Sequence, residues 1–379
     1  MKRGLKSIWL LGFASFFNDV GSNMIAPILP LYITFLGGGG IIIGLISGLR
    51  DGVASIFNLA GGWLSDKFGK RKEFVIFGYS FSSIAKFFIY LSTTWPGVVL
   101  FSAIERVGKM RDSPRDAIIS NLIGKKHRGE GFGIDRMMDK LGVAVGVLIV
   151  IGLFWLLNFS YKGILLVAAC LAVLSVFPLF FVKDVKTRKI KETFFSDIKK
   201  INKNLKYFIF VASVFAFANF SLYMFLILRA EEITGSKILA LLMYFGFSMV
   251  SSFFMIPFSN LSDRIGRKKV LYTGYFLFFL MSLGFAFFSS TTALFLLFIL
   301  YGIVFATTES NQLALVSDLS GKDKGTSFGL FYTLTGFFNI AGGVIAGILW
   351  TISPKTMFIY LAGISLLVLI FFKFAKAKN

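Results

Sequence analysis

The sequence predicts an all-α membrane protein, with twelve transmembrane helices arranged as two six-helix bundles. Three observations predict it. Of 379 residues, 56% are hydrophobic and only 16% charged, a balance too apolar for a chain dissolved in water. Apolar runs of about 20 residues, the helical length that crosses a hydrocarbon core of about 30 Å, recur twelve times. A polar motif interrupts the apolar pattern twice, with Asp66 and Asp263 in register (263 minus 66 gives 197 residues), so the chain reads as two related halves.

The runs fall near 8–36, 41–65, 73–92, 98–121, 132–157, 162–182, 207–229, 237–260, 270–289, 293–317, 327–351 and 356–373. The first follows Met-Lys-Arg-Gly-Leu-Lys, which resembles the start of a signal peptide. Its apolar run exceeds twenty residues and has no small-residue cleavage site before Asp19, so it is expected to be a retained span. Six spans (1–182) precede a basic linker (183–206), and six follow it (207–379). Within the linker Phe195, Ile198, Ile201 and Leu205 are spaced as one helix face among lysines, which fits either a helix on an anionic membrane surface or a solvated tether.

The formal charge of +21 would suggest a nucleic-acid partner in a soluble protein, but the basic residues sit between the apolar runs. Lys67, Lys70, Arg71, Lys72, Lys125, Lys126, Arg128, Arg264, Arg267, Lys268, Lys269, Lys322, Lys324, both termini and the linker carry them on the even-numbered connections. The odd-numbered connections hold only Lys162, Lys237 and Lys355. That asymmetry is expected to place both termini in the cytoplasm, in a cell membrane, and accounts for most of the basic excess without nucleic acid. Cys170 is the single cysteine and His127 the single histidine, so neither an internal disulfide nor a metal cluster is expected.

Ionisable groups at membrane depth are costly and are candidates for function. Asp19 lies about eleven residues into span 1, Arg50 and Asp51 about ten into span 2, and Lys86 at similar depth in span 3. In span 4, Glu105, Lys109, Asp112 and Asp116 follow i, i+4, i+7, i+11 spacing and would share one helix face, flanked by Arg106, Arg111 and Arg115. Pro114 should interrupt this helix and free carbonyls for the neighbouring arginines. In span 5, Asp135, Asp139, Gly142 and Gly146 line one face, the glycines permitting close helix approach, and Arg136 and Lys140 stand beside the acids. The groups near the cytoplasmic end, Arg115 to Lys140, are expected to be structural ion pairs. In the second half Glu309, expected to be a buried acid, stands 197 residues after Asp112, and Asn219 echoes Asn18.

The stretch Gly62-Trp63-Leu64-Ser65-Asp66-Lys67-Phe68-Gly69-Lys70-Arg71-Lys72 resembles the loop between helices 2 and 3 of the major facilitator superfamily of transporters, and matches each fixed position of that pattern. Its repeat, Ser-Asn-Leu-Ser-Asp-Arg-Ile-Gly-Arg-Lys-Lys, departs only at Ser259. The resemblance implies two bundles that rock about a central site, with Gly62, Asp66, Gly69, Lys70, Arg71, Asp263, Gly266 and Arg267 acting as cytoplasmic gate elements. It further implies that each aspartate meets the start of a helix in the opposite half. The stretch from Glu105 to Ala117 resembles a branch grouped with multidrug-resistance-type exporters. The drug-antiporter pattern Arg-x-x-Gln-Gly is absent, since Gly108 stands two residues after Arg106.

These features point to a secondary transporter of a small solute, coupled to a proton and functional as a monomer in the lipid bilayer. Asp19, Arg50, Asp51, Lys86, Glu105, Arg106, Lys109, Asp112 and Glu309 are the candidates for coupling or substrate contact. Proton-linked or facilitated uptake of an anionic metabolite is the second reading, and a non-transporting receptor or scaffold the third. No nucleotide-binding Gly-x-x-x-x-Gly-Lys-Ser/Thr loop occurs, and no cofactor or enzymatic nucleophile set is expected.

Overall fold

The structure is a computed structural model that describes residues 2–122, 128–183, 201–320 and 324–374. Among the described residues fourteen α-helices form twelve spans. They are α1 (Lys2–Phe35), α2 (Gly40–Phe68), α3 (Arg71–Leu91), α4 (Trp95–Val107), α5 (Asp112–Leu122), α6 (Arg128–Trp155), α7 (Tyr161–Val173), α8 (Lys203–Ala218), α9 (Tyr223–Thr234), α10 (Lys237–Ile265), α11 (Arg267–Phe287), α12 (Thr291–Leu319), α13 (Lys324–Ile352) and α14 (Pro354–Phe374). Span 4 is α4 and α5 joined by a 3-10 turn at Gly108–Arg111, span 6 is α7 plus the turn Phe177–Phe181, and span 7 is α8 and α9. Among the described residues ten spans are long and apolar enough to cross a membrane, by length and composition. The other two, spans 1 and 4, carry Asn18, Asp19 and Asn23 or the charges from Glu105 to Asp116, which lower their mean hydropathy.

The break in span 4 has the cause its sequence names. A proline ring clashes with the carbonyl four residues earlier, here that of Met110, so the helix tightens before Pro114. Within the turn Arg111 Nη1 donates to Gly108 O at 2.8 Å. The turn also corrects an expectation: Glu105, Lys109, Asp112 and Asp116 do not continue along one α-helical face. They divide into three separate pairings, described below. In span 5, by contrast, the glycine face packs as expected. A Cβ on Gly142 would lie 2.8 Å from Phe16 O, and one on Gly146 would lie 2.6 Å from Val20 O, so α1 and α6 meet backbone to backbone.

Packing groups Met1–Gly37 with Val53–Glu192 as one compact unit and Gly38–Gly52 with Thr193–Asn379 as the other. Helix α2 belongs to both. Its first half seats on α13, where a Cβ on Gly44 would come within 2.8 Å of Gly347 Cα and one on Gly48 within 2.7 Å of Ile340 Cα. Its second half packs in the first unit, where Ser113 Oγ donates to Asn58 Oδ1 at 2.7 Å. In the linker, Phe195 and Ile198 lie outside the described residues; Ile201 and Leu205 are buried, and Leu205 belongs to α8.

Candidate functional site

In the first unit the deepest charges are sealed from solvent. Lys86 on α3 and Glu105 on α4 are 0% and 4% exposed and meet at 3.1 Å. Lys86 Nζ also donates to Ser82 Oγ at 2.8 Å and to Asn18 Oδ1 at 3.2 Å, while Ser82 donates to Glu105 Oε1 at 2.9 Å. Arg106 reaches the other carboxylate oxygen of Glu105 at 3.2 Å. A buried ion pair persists only with such added hydrogen bonds, since desolvating each charge costs several kcal/mol. The Ser82–Lys86 spacing of one helical turn was visible in the sequence, but the choice of Glu105 as partner required the packing of α3 on α4.

A second network lies at the junction of α1, α5 and α6. Arg115 contacts Asp135 at 3.2 Å and Asp139 at 3.3 Å, and donates to Tyr79 Oη at 3.1 Å. It also donates to Ser15, whose hydroxyl donates to Asp139. Asp116 pairs outward with Arg136 at 3.1 Å. Lys109 and Asp112 pair with each other at 3.4 Å, both partly exposed. Arg111 lies 4.3 Å from the Tyr79 ring centre, a cation–π contact. Asp19, half-buried, sits within electrostatic reach of Asp139, Lys109, Arg111 and Arg115.

In the second unit α2 presents Arg50 and Asp51 to the gap between α8 and α9. Arg50 is buried, and Asp51 accepts a hydrogen bond from Ser221 at 2.7 Å. Asn219, which caps α8, accepts from Tyr301 Oη at 3.1 Å, as Asn18 accepts from Lys86 in the first unit. Tyr223, Tyr244, Phe247 and Tyr301 form a chain of ring contacts at 5.4, 5.7 and 4.7 Å. Glu309 requires a correction. It is exposed rather than buried, because it falls on the open side of α12, yet it remains within electrostatic reach of Asp51. Ser221 and Tyr223 were not legible in the sequence, since a break in an apolar run gives no period to read.

The repeated motif ends α2 and α10 in matching ways. Gly69 and Gly266 adopt φ of 69° and 98°, values that favour glycine and explain why both copies keep it. Asp66 pairs with Arg71 at 2.6 Å, and Asp263 with Arg267 at 2.8 Å. Arg267 also meets Asp318. Lys70 pairs with Glu73 at 2.9 Å. The next basic residues cap carbonyls at the end of each half: Lys72 donates to Val182 O at 2.6 Å and Lys268 to Lys373 O at 2.9 Å. The departure at Ser259 has a structural basis. A Cβ on Gly62 would lie 3.0 Å from Ser113 Cβ, whereas Ser259 hydrogen-bonds at 2.9 Å to Ser310, the repeat equivalent of Ser113 (310 minus 113 gives 197).

The description of the Major Facilitator Superfamily matches residues 11–235 and again residues 208–379. The chain belongs to that superfamily. It is 46% identical over 97% of its length, and 94% of the relative's, to an uncharacterised MFS-type transporter, MJ1317, of Methanocaldococcus jannaschii. It is 24% identical, over 90% of its length and 86% of the relative's, to the multidrug resistance protein MdtH of Photorhabdus laumondii. Among solved structures, that of the nucleoside transporter NupG (D323A mutant) superimposes with a TM-score of 0.83 at 17% identity, covering 97% of this chain and 99% of the other. A POT family transporter in complex with 5-aminolevulinic acid gives 0.78 at 14% identity, covering 96% and 94%. These two show the shared fold. The protein is thus a multi-pass membrane transporter of the superfamily.

Proposed function

We infer that the protein exports a small organic solute across the cell membrane by alternating access, in exchange for protons, as a monomer with both termini in the cytoplasm. The carrying observation is the setting of Asp51. Its carboxylate, at membrane depth, is held by the Ser221 hydroxyl with the buried Arg50 beside it. A carboxylate held this way gains or loses a proton as its hydroxyl and guanidinium neighbours shift, which ties protonation to conformation. Asp19 is the corresponding acid of the first unit. Export is supported by the relatives named for multidrug resistance. The buried Arg50, within reach of Tyr223, favours one further reading, uptake of an anionic metabolite.

The matched cytoplasmic motifs support a gate in which Asp66 and Asp263 hold the inner side shut. The test is a flux screen in proteoliposomes under an imposed pH gradient, using ethidium, a nucleoside and a small carboxylate as probes. Export predicts that ethidium moves against its gradient only when protons flow the other way. Movement of the carboxylate alone, with the protons, would favour uptake, and gradient-independent movement of all three would remove coupling.

A further inference from the structure

The Arg115 network holds a charge imbalance that the proposed mechanism does not use. Asp135 and Asp139 stand one turn apart on α6 and both contact the Arg115 guanidinium, at 3.2 and 3.3 Å; Asp139 is also reached by Arg136 at 3.3 Å. Arg136 is itself divided between Asp139 and Asp116, the latter at 3.1 Å, so three carboxylates face two guanidiniums. Asp135 is 0% exposed, and neither of its carboxylate oxygens receives a hydrogen bond, because the Arg115 contact is not aligned for one. Asp139 takes the aligned interactions from Ser15, Arg115 and Arg136. The other groups facing the two acids are Tyr79 from α3, Lys109 from the 3-10 turn, and Asp116 and Arg136 at the outer edge. An ionised carboxylate buried with no hydrogen bond is costly, and three acids gathered around two guanidiniums do not all stay ionised.

We propose that Asp135 and Asp139 hold one exchangeable proton in common, forming a proton-binding site in the first unit distinct from Asp51. The proton enters from water at the outer edge of the network, where Asp116 is 36% and Arg136 57% exposed. It passes to Asp139, 15% exposed, and then to Asp135. With it bound, one acid is neutral and the other is balanced by Arg115. The site adjoins Asp19, whose Cβ lies against Gly142, less than one turn along α6 from Asp139. The proposal rests on the coupled-transport reading only for its purpose; the shared proton is a property of the pair.

The experiment is infrared difference spectroscopy on the purified full-length protein near neutral pH, in water and in deuterium oxide. Removing either acid with Asp135→Asn or Asp139→Asn leaves two carboxylates, that of the remaining acid and that of Asp116, for the two guanidiniums of Arg115 and Arg136. Each wild-type minus variant spectrum should therefore lose one protonated-carboxyl band, sensitive to deuterium, with the ionised-carboxylate bands unchanged. Glu73→Gln, at the exposed first turn of α3 and paired with Lys70, should lose an ionised band instead. Loss of an ionised band in Asp139→Asn would overturn the shared proton, whether or not Asp135→Asn folds. A shared proton in a protein with no gradient-driven flux would discard the coupling reading and leave the site. Gradient-driven flux with only ionised bands lost would do the reverse.

Discussion

At the scale of single residues, the sequence located the costly charges by depth but not their partners. Asp19, Arg50, Asp51, Lys86 and Glu105 were singled out because a charged group in hydrocarbon costs at least about 2.5–3.5 kcal/mol. That Lys86 belongs to Glu105 and that Asp51 belongs to Ser221 depends on which helices touch, and no spacing along one chain segment records this. Glu309 shows the limit most plainly, since it was expected to be buried and is exposed. The Lys86–Glu105 pair gives a clean test. Lys86→Met strands a buried carboxylate and should cost about 3–5 kcal/mol, whereas the double change Lys86→Met with Glu105→Gln should recover much of the loss. Unfolding midpoints of the three proteins in detergent measure it, and equal losses in single and double variants would mean that the pair is not buried as a unit.

At the scale of elements, boundaries and breaks divided by their chemistry. The kink in span 4 was legible because Pro114 removes a helical hydrogen bond wherever it stands, and the α1–α6 contact because Gly142 and Gly146 recur one turn apart. The gap between α8 and α9 carries neither proline nor glycine, only Asn219, Phe220, Ser221 and Leu222, and it was read as continuous helix. The allegiance of α2 to two units was equally hidden, although Gly40, Gly44, Gly48 and Gly52 stand at one-turn spacing on its first half. That half seats on α13 through backbone contact, so Gly44→Leu should displace it. In a Cys170→Ser background, Cys placed at the buried Ile43 should react with a maleimide several times faster when Gly44→Leu is present. An unchanged rate would show that the glycine seam does not hold α2 in place.

At the scale of the whole molecule, the internal repeat carried the fold. Asp66 with Asp263 and Gly69 with Gly266 are in register, both glycines have positive φ, and each aspartate pairs with an arginine, though Arg71 and Arg267 stand one position apart in the repeat. The charges at depth do not repeat. The first unit seals Lys86 with Glu105, while the second sets hydroxyl-bearing tyrosines around Arg50 and Asp51, so the halves share a scaffold and divide the chemistry. The basic-residue asymmetry predicts sidedness. Single cysteines at Lys70 and Lys268 should be labelled by a membrane-impermeant maleimide only after the membrane is opened, and those at Lys162 and Lys355 in intact cells. The opposite pattern would invert the topology.

Coupling through Asp19 and Asp51 is the central claim, and gradient-driven flux of the solute identified in the proteoliposome screen tests it most directly. Comparing the protein with its Asp19→Asn/Asp51→Asn double variant, we expect the variant to lose accumulation driven by the pH gradient while still exchanging solute across the membrane. Full gradient-driven accumulation in the double variant would contradict the account.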